Sequence, residues 1–278
     1  MDLTLVLMQQ LIRVTYFAWS LQDMTTPVEK LPPSAVGRVL KETPSLLDFL
    51  CYNMNFLGMM CPSPEFSDYM DFIHRRGNYQ VTPLKMEDHL ILIRNIVIAI
   101  VVHVLGMLFL ISPHGCLTSA FANHNILVRY MLINIAAFNF RSRYYVPWLI
   151  SQLSIDLAGL SYNSKSGKFD LYENARPLEV EFLYMDSKRR VTVWNMGTQK
   201  WLKSIFYERF EQQLGKSTAA LATFAFSAFW HGFYPSYYVA FFYVHMCGEI
   251  QKMVYKNQDV VLGPFGTVRR PYVEKALE

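Results

Sequence analysis

The sequence predicts an all-α protein, a polytopic bundle of transmembrane helices, and three observations carry that expectation. Apolar residues make up 52% of the chain and charged residues only 17%, against about 25% charged in ordinary soluble domains. Residues 90–111 hold Ile91-Leu92-Ile93 and the run from Ile96 to Val102, with Arg94 placed to snorkel toward an interface. Residues 217–248 contain no Asp, Glu, Lys or Arg at all.

Taken in order, the chain opens on a shorter apolar stretch at 3–21. Met1 leads into Asp2 rather than a basic region, and no small-residue cleavage site follows, so no secretory signal peptide is expected and insertion relies on the spans themselves. A Pro/Ser stretch at 31–35 is the nearest thing to a linker, and no internal repeat interrupts a single domain over 1–278. After the span at 90–111, further spans are expected at 116–140 and 144–160; Arg129 and Asp156 fall inside them, which suits segments buried among other helices better than segments facing lipid. A helix of the whole 217–248 run would be about 48 Å long at about 1.5 Å per residue, well beyond a hydrocarbon core of about 30 Å. It must break, and Gly232 and Pro235 predict the break directly after His231, with a second apolar helix running to Gly248. Cys51, Cys61, Cys116 and Cys247 show neither metal-ligand spacing nor a disulfide framework, so free thiols and no metal are expected.

Between the spans, residues 188–216 carry seven basic side chains (Lys188, Arg189, Arg190, Lys200, Lys203, Arg209, Lys216) and two acidic ones (Glu208, Glu211), a balance of +5 in a chain whose total is +4. That surplus fits a cytoplasmic flank, and it fits a site for a polyanionic ligand. Within it stands Trp194-Asn195-Met196-Gly197-Thr198-Gln199-Lys200-Trp201, with the two tryptophans on one face if the stretch is helical. Asn195 has two readings: an N-cap for the helix that follows, or a carboxamide that polarises a carbonyl or orients a substrate.

His231 is an ionisable group in an apolar run, where such groups cost a few kcal/mol and tend to face a cavity. Its alternatives are a structural imidazole hydrogen-bonded to a neighbouring helix, or a proton relay in a transporter or channel partnered by Asp156 and Arg129. Ala220, Phe224 and Ser227 share its helical face. Ser227 on a regular helix lacks the strained, exposed turn of a nucleophilic serine.

The motif of Trp194-Asn195 with Thr198 and Trp201-Leu202, followed by Ser227-Ala228-Phe229-Trp230-His231-Gly232-Phe233-Tyr234-Pro235 and Tyr237-Tyr238, resembles the membrane-bound O-acyltransferase (MBOAT) family, in particular its lysophospholipid acyltransferase branch. A third patch, Met54-Asn55-Phe56 through Cys61-Pro62, Phe66, Tyr69 and Phe72-Ile73, is similar to an early loop of that branch, where a Gly-Pro stands in place of Cys61-Pro62. The resemblance covers about 50–250 and implies a partial bundle of the MBOAT type, since complete members extend further at both ends. It assigns Asn195 and His231 to the active site, acyl-CoA as a co-substrate arriving from the cytosolic side with no other cofactor, a lysophospholipid as acceptor, and a multi-pass location in the endoplasmic reticulum membrane. It gives no role to nucleic acid and leaves the oligomeric state open. The chemistry fits these residues: an imidazole suits removal of the acceptor hydroxyl proton, and an amide donor suits the developing oxyanion. Direct transfer without an acyl-enzyme is expected, because no activated Cys or Ser is evident. For the co-substrate, Lys200, Lys203 and Arg209 are candidate phosphate partners, and Trp194, Thr198, Ser227, Trp230 and Tyr234 candidate binding residues. Phe224, Phe226 and Tyr234 offer apolar walls, though aromatic residues at helical spacing more often pack. Other outcomes are an acyltransferase for another lipid or protein hydroxyl, or an inactive membrane protein.

Overall fold

The structure is a computed structural model and describes residues 3–61, 63–79, 86–183 and 187–257. It is helical almost throughout. In chain order the helices are α1 (Leu3–Thr25), α2 (Leu46–Met54), α3 (Phe66–Ile73), α4 (Leu90–Phe109), α5 (Ser119–Ala122), α6 (Ile126–Ala158), α7 (Ser187–Thr192), α8 (Met196–Leu202), α9 (Glu208–Leu214), α10 (Lys216–His231) and α11 (Pro235–Lys256). A two-stranded antiparallel hairpin, β1 (Tyr162–Asn163) with β2 (Lys168–Phe169), follows α6.

The break expected after His231 is found: α10 ends on His231, Gly232 takes φ +126, a backbone few residues but glycine adopt, and Pro235 opens α11 in its first turn. The two helices then pack side by side. The span expected at 90–111 is α4, and its apolar face is open, with Ile91, Val97, Val101, Leu105 and Leu108 exposed. Among the described residues this is the one helix long and apolar enough to cross a membrane.

The separate spans at 116–140 and 144–160 are not seen. Residues 113–122 form a 3-10 turn and the short α5, and a single helix of 33 residues, α6, replaces both expectations. Asn125 starts it by accepting from Val128 N, and Gly159 at φ +88 stops it. The Arg-Ser-Arg between the two apolar stretches does not end the helix, because Arg141 pairs bidentately with Glu181 and Ser142 meets His103 Nδ1 at 2.9 Å. Pro147 lies inside it without stopping it. Helix α6 packs along α4, and their interface supplies Leu92, Ile96, Ala99, Tyr145, Trp148 and Leu149 to a shared buried cluster.

A second core joins α1, α2, α3, α8 and α10 through Ile12, Tyr16, Tyr52, Phe66, Tyr69, Trp201 and Trp230. Its anchor is Arg13 on α1, almost wholly buried. The Arg13 guanidinium donates to the carbonyls of Tyr52, Asn53, Asn55 and Leu57 at 2.6–3.1 Å, taking up the acceptors that the end of α2 leaves without intrahelical partners. The loop that leads to Cys61 is thereby tied to α1.

Candidate active site

Asn195 ends the loop before α8 in a left-handed conformation, φ +43 and ψ +56, a region that Asn tolerates better than other side chains. Both readings of this residue start from its cap: Oδ1 accepts from Thr198 N at 3.4 Å. The Cys61 thiol donates to the same oxygen at 3.2 Å and lies 3.5 Å from Thr198 Oγ1. With Oδ1 identified as the acceptor by the backbone N–H that reaches it, the other end of the amide is the donor NH2. It makes no hydrogen bond among the described residues.

Position 61 explains why glycine suits it: Cys61 has φ +76, a conformation that costs a side chain with a Cβ about 1–2 kcal/mol. Burial pushes its thiol up to about 11, so at neutral pH it is an S–H donor and not a thiolate.

His231 closes α10 half-buried, its ring flanked by Trp230 at 4.9 Å, Phe241 at 5.0 Å and Tyr237 at 5.5 Å between centroids. Neither ring nitrogen is hydrogen-bonded among the described residues, which show no bond from the imidazole to a neighbouring helix. Nor does a hydrogen bond join it to Asp156 or Arg129 on α6. Phe233 and Tyr234, just beyond it, are exposed, which leaves the ring at the open end of α10.

No hydrogen bond joins Asn195 to His231 among the described residues, but aromatic packing links their elements: Asn195 opens α8, Trp201 near its far end packs on Trp230 at 5.1 Å, and Trp230 precedes His231. The Trp201 indole N–H donates to Thr15 Oγ1 at 2.9 Å, while that of Trp230, buried, has no partner among the described residues. The two tryptophans of the asparagine motif do not share a face, because Trp194 precedes the helix and packs instead on Trp148, Tyr145 and Tyr144 at 4.9–6.1 Å. Ser227 is buried on α10 one turn before His231. Phe224 packs on His245 and Phe226 stacks on Phe206 at 3.6 Å, both as helix packing.

The three basic candidates differ in their freedom. Lys200 pairs with the buried Glu65 at 3.1 Å, alongside Arg38 on the same carboxylate, and lies over the Tyr172 ring. Arg209 makes a bidentate pair with Asp23 at 2.8 and 2.9 Å and stacks on Trp19. Lys203 stands out at 69% side-chain exposure, 3.7 Å from Glu208. A cleft lined by Arg38, Glu42, Asp68, His74 and Arg76 is polar and takes no residue from α8 or α10.

Sequence reasoning missed Arg13 and Asn174. A lone arginine inside the apolar stretch at 3–21 is a signal for the first. Asn174 stands in an irregular loop and offers none, yet it is fully buried and meets the start of α8.

The chain matches the family model described as MBOAT, membrane-bound O-acyltransferase family, over residues 2–263. It is 31% identical over 261 residues to a lysophospholipid acyltransferase of Schizosaccharomyces pombe, covering 86% of this chain and 50% of that protein. It is 31% identical over 263 residues to lysophospholipid acyltransferase 6 of Drosophila melanogaster (87% and 36%). Membrane-bound glycerophospholipid O-acyltransferase 2 of Mus musculus is 28% identical over 257 residues (82% and 47%). The chain spans about half the length of the curated relatives it matches, or less.

Proposed function

The chain belongs to the membrane-bound O-acyltransferase family, and we propose that it carries the reacting residues of a lysophospholipid O-acyltransferase. In this reading a fatty acyl group passes from acyl-CoA to the free hydroxyl of a lysophospholipid. The observation that carries the reading is the His231 ring, set at the open end of α10 among Trp230, Tyr237 and Phe241 with both nitrogens unengaged among the described residues. One nitrogen takes the hydroxyl proton as the new ester C–O bond forms, and the proton then passes to the departing CoA sulfur as the thioester C–S bond breaks. A neutral imidazole suits this, having its ordinary pKa near working pH. The Asn195 NH2, left as a donor because its oxygen is engaged, binds the carbonyl oxygen as charge develops there.

Further residues take supporting roles. Lys203, the most open of the three basic candidates, meets a CoA phosphate, whereas Lys200 and Arg209 can do so only by releasing Glu65 and Asp23. Tyr234, exposed beside His231, and the unpartnered Trp230 indole N–H line the approach for the acyl donor; Thr198 and Ser227 back Asn195 and His231, and Trp194 ties the asparagine loop to α6. The whole acts as one membrane-embedded domain, multi-pass, in the endoplasmic reticulum.

Membranes containing the chain, given labelled oleoyl-CoA and a panel of lysophospholipids differing in headgroup, test the proposal. Labelled diacyl phospholipid is the expected product. Turnover of the thioester only to free fatty acid, with no acceptor dependence, contradicts it, and so does label recovered covalently on the protein as a competent intermediate.

A further inference from the structure

The first turn of α8 is held from outside by one residue. Asn174 accepts from Met196 N at 2.6 Å through its backbone carbonyl and from Gly197 N at 2.9 Å through Oδ1. Asn195 Oδ1 takes the next N–H, that of Thr198. The N–H groups a helix leaves open at its start are thus all bonded over Met196–Thr198, two of them by Asn174. Asn174 is itself fixed, because its backbone N donates to Gln152 Oε1 on α6 at 3.1 Å and its side chain lies 3.8 Å from the Cys61 sulfur. It is wholly buried, in contact with three separate parts of the chain. Asn195 between these clamps holds a left-handed backbone, which an unconstrained Asn would leave at a gain of about 1 kcal/mol.

We infer that Asn174 is a positioning residue for acyl transfer: by clamping the first turn of α8 to α6 it keeps Asn195 left-handed, with its oxygen turned inward and its NH2 presented to the reacting carbonyl. The inference rests on the role given to Asn195 under Proposed function. Asn174 touches neither substrate, and its effect passes through Asn195. Without the Asn174 side chain the half-buried Gly197 N–H loses its acceptor while Met196 N keeps the backbone carbonyl, and the loop shifts to satisfy the freed donor. A displacement of about 1 Å at a reacting group can lower a rate about 10²-fold.

Asn174→Ala and Asn174→Asp, alone and combined with Asn195→Ala, are compared in membranes with labelled oleoyl-CoA and lysophosphatidylcholine or lysophosphatidylethanolamine. Asn174→Ala is expected to lower kcat about 10²-fold with KM nearly unchanged. Asn174→Asp keeps an acceptor for Gly197 N and places its charge at a helix start, where it is tolerated, so it is expected to restore most of kcat. In the Asn195→Ala background Asn174→Ala should add little, as for residues acting as one unit. Amide hydrogen exchange supplies a reading independent of turnover: Asn174→Ala should speed exchange most at Gly197, in the first turn of α8, and leave α4 and α10 unchanged. Independent, multiplying losses in the double variant, a KM effect alone, or unchanged exchange at α8 would overturn the inference. A parent chain without activity would count against the proposed function, while exchange would still decide the clamp.

Discussion

Replacing Arg13 with Met removes the donor that holds the 52–57 segment. Four carbonyls accept from this guanidinium at 2.6–3.1 Å, and its Cζ lies over the Tyr52 ring at 5.9 Å. Each hydrogen bond to a charged group contributes about 1.5–3 kcal/mol on its own, but the four share one side chain and the freed carbonyls regain some water. Losing one partner of a buried charged network costs about 3–5 kcal/mol, and about 4 is expected here. That is a large part of the 5–15 kcal/mol that holds a typical domain together, to order of magnitude. Thermal unfolding in detergent, followed by tryptophan fluorescence, should therefore fall by roughly 8–16 °C, at about 2–4 °C per kcal/mol for a chain of this size. Arg13→Lys retains the charge but not the fork that spans several carbonyls, and should lose about half as much. Hydrogen exchange over the loop leading to Cys61 should rise in both variants. If Arg13→Met unfolds at the parent temperature, the guanidinium does not anchor this loop and the account of how Cys61 is held against Asn195 is wrong.

Two further perturbations follow from the same geometry. Cys61→Gly should leave stability at pH 7 within about 1 kcal/mol, since relief of the left-handed backbone offsets the lost thiol contacts, whereas Cys61→Ala keeps the strain and loses the contacts. The thiol is raised from 9.0 to about 11 on folding, so its contribution is complete below pH 9 and is lost as pH rises through about 11; at about 1.4 kcal/mol per pH unit this amounts to up to about 3 kcal/mol. Chemical denaturation of parent and Cys61→Gly between pH 8 and 11 should show the parent losing stability relative to the variant as pH rises, and a pH-independent difference would refute the burial argument. Trp201→Phe, which breaks the bond to Thr15, should be about 1–3 kcal/mol more destabilising than Trp230→Phe, which removes an unpartnered donor; equal losses in denaturant unfolding would contradict that assignment.

Local signals carried much of this fold into the sequence. Gly232 and Pro235 specify the break after His231 by backbone conformation and by a missing N–H, and both act within a few residues of the break. The cap at Asn195 is equally local, a side chain three residues from the N–H it accepts. The 116–160 region departs from its expected pair of spans for a tertiary reason: Arg141 and Ser142 look like the end of a span in the sequence, but Glu181 and His103 receive them, and both partners lie about 40 residues away. Arg13 and Asn174 are of the same kind. Arg13 bonds carbonyls 39–44 residues on, and Asn174 reaches 23 residues forward to Gly197, so no periodicity or spacing rule points to their partners. In the site, residue identity revealed His231 and Asn195, while the freedom of Lys203 against the engagement of Lys200 and Arg209 depends on where Glu65 and Asp23 fold.

The most direct measurement is the rate of labelled acyl transfer to lysophospholipid in membranes holding the parent, His231→Ala, Asn195→Ala and the double variant at matched folded protein. Loss of a general base lowers a rate about 10²–10⁴-fold and loss of one oxyanion donor about 10²–10³-fold, while Asn195→Ala costs about 1 kcal/mol of stability as a lost cap and about 1 kcal/mol more because alanine tolerates the left-handed backbone less well. Each single variant is predicted to fall within those ranges, with the double variant losing less than the product of the two. A folded His231→Ala chain that transfers acyl groups at the parental rate would contradict the account.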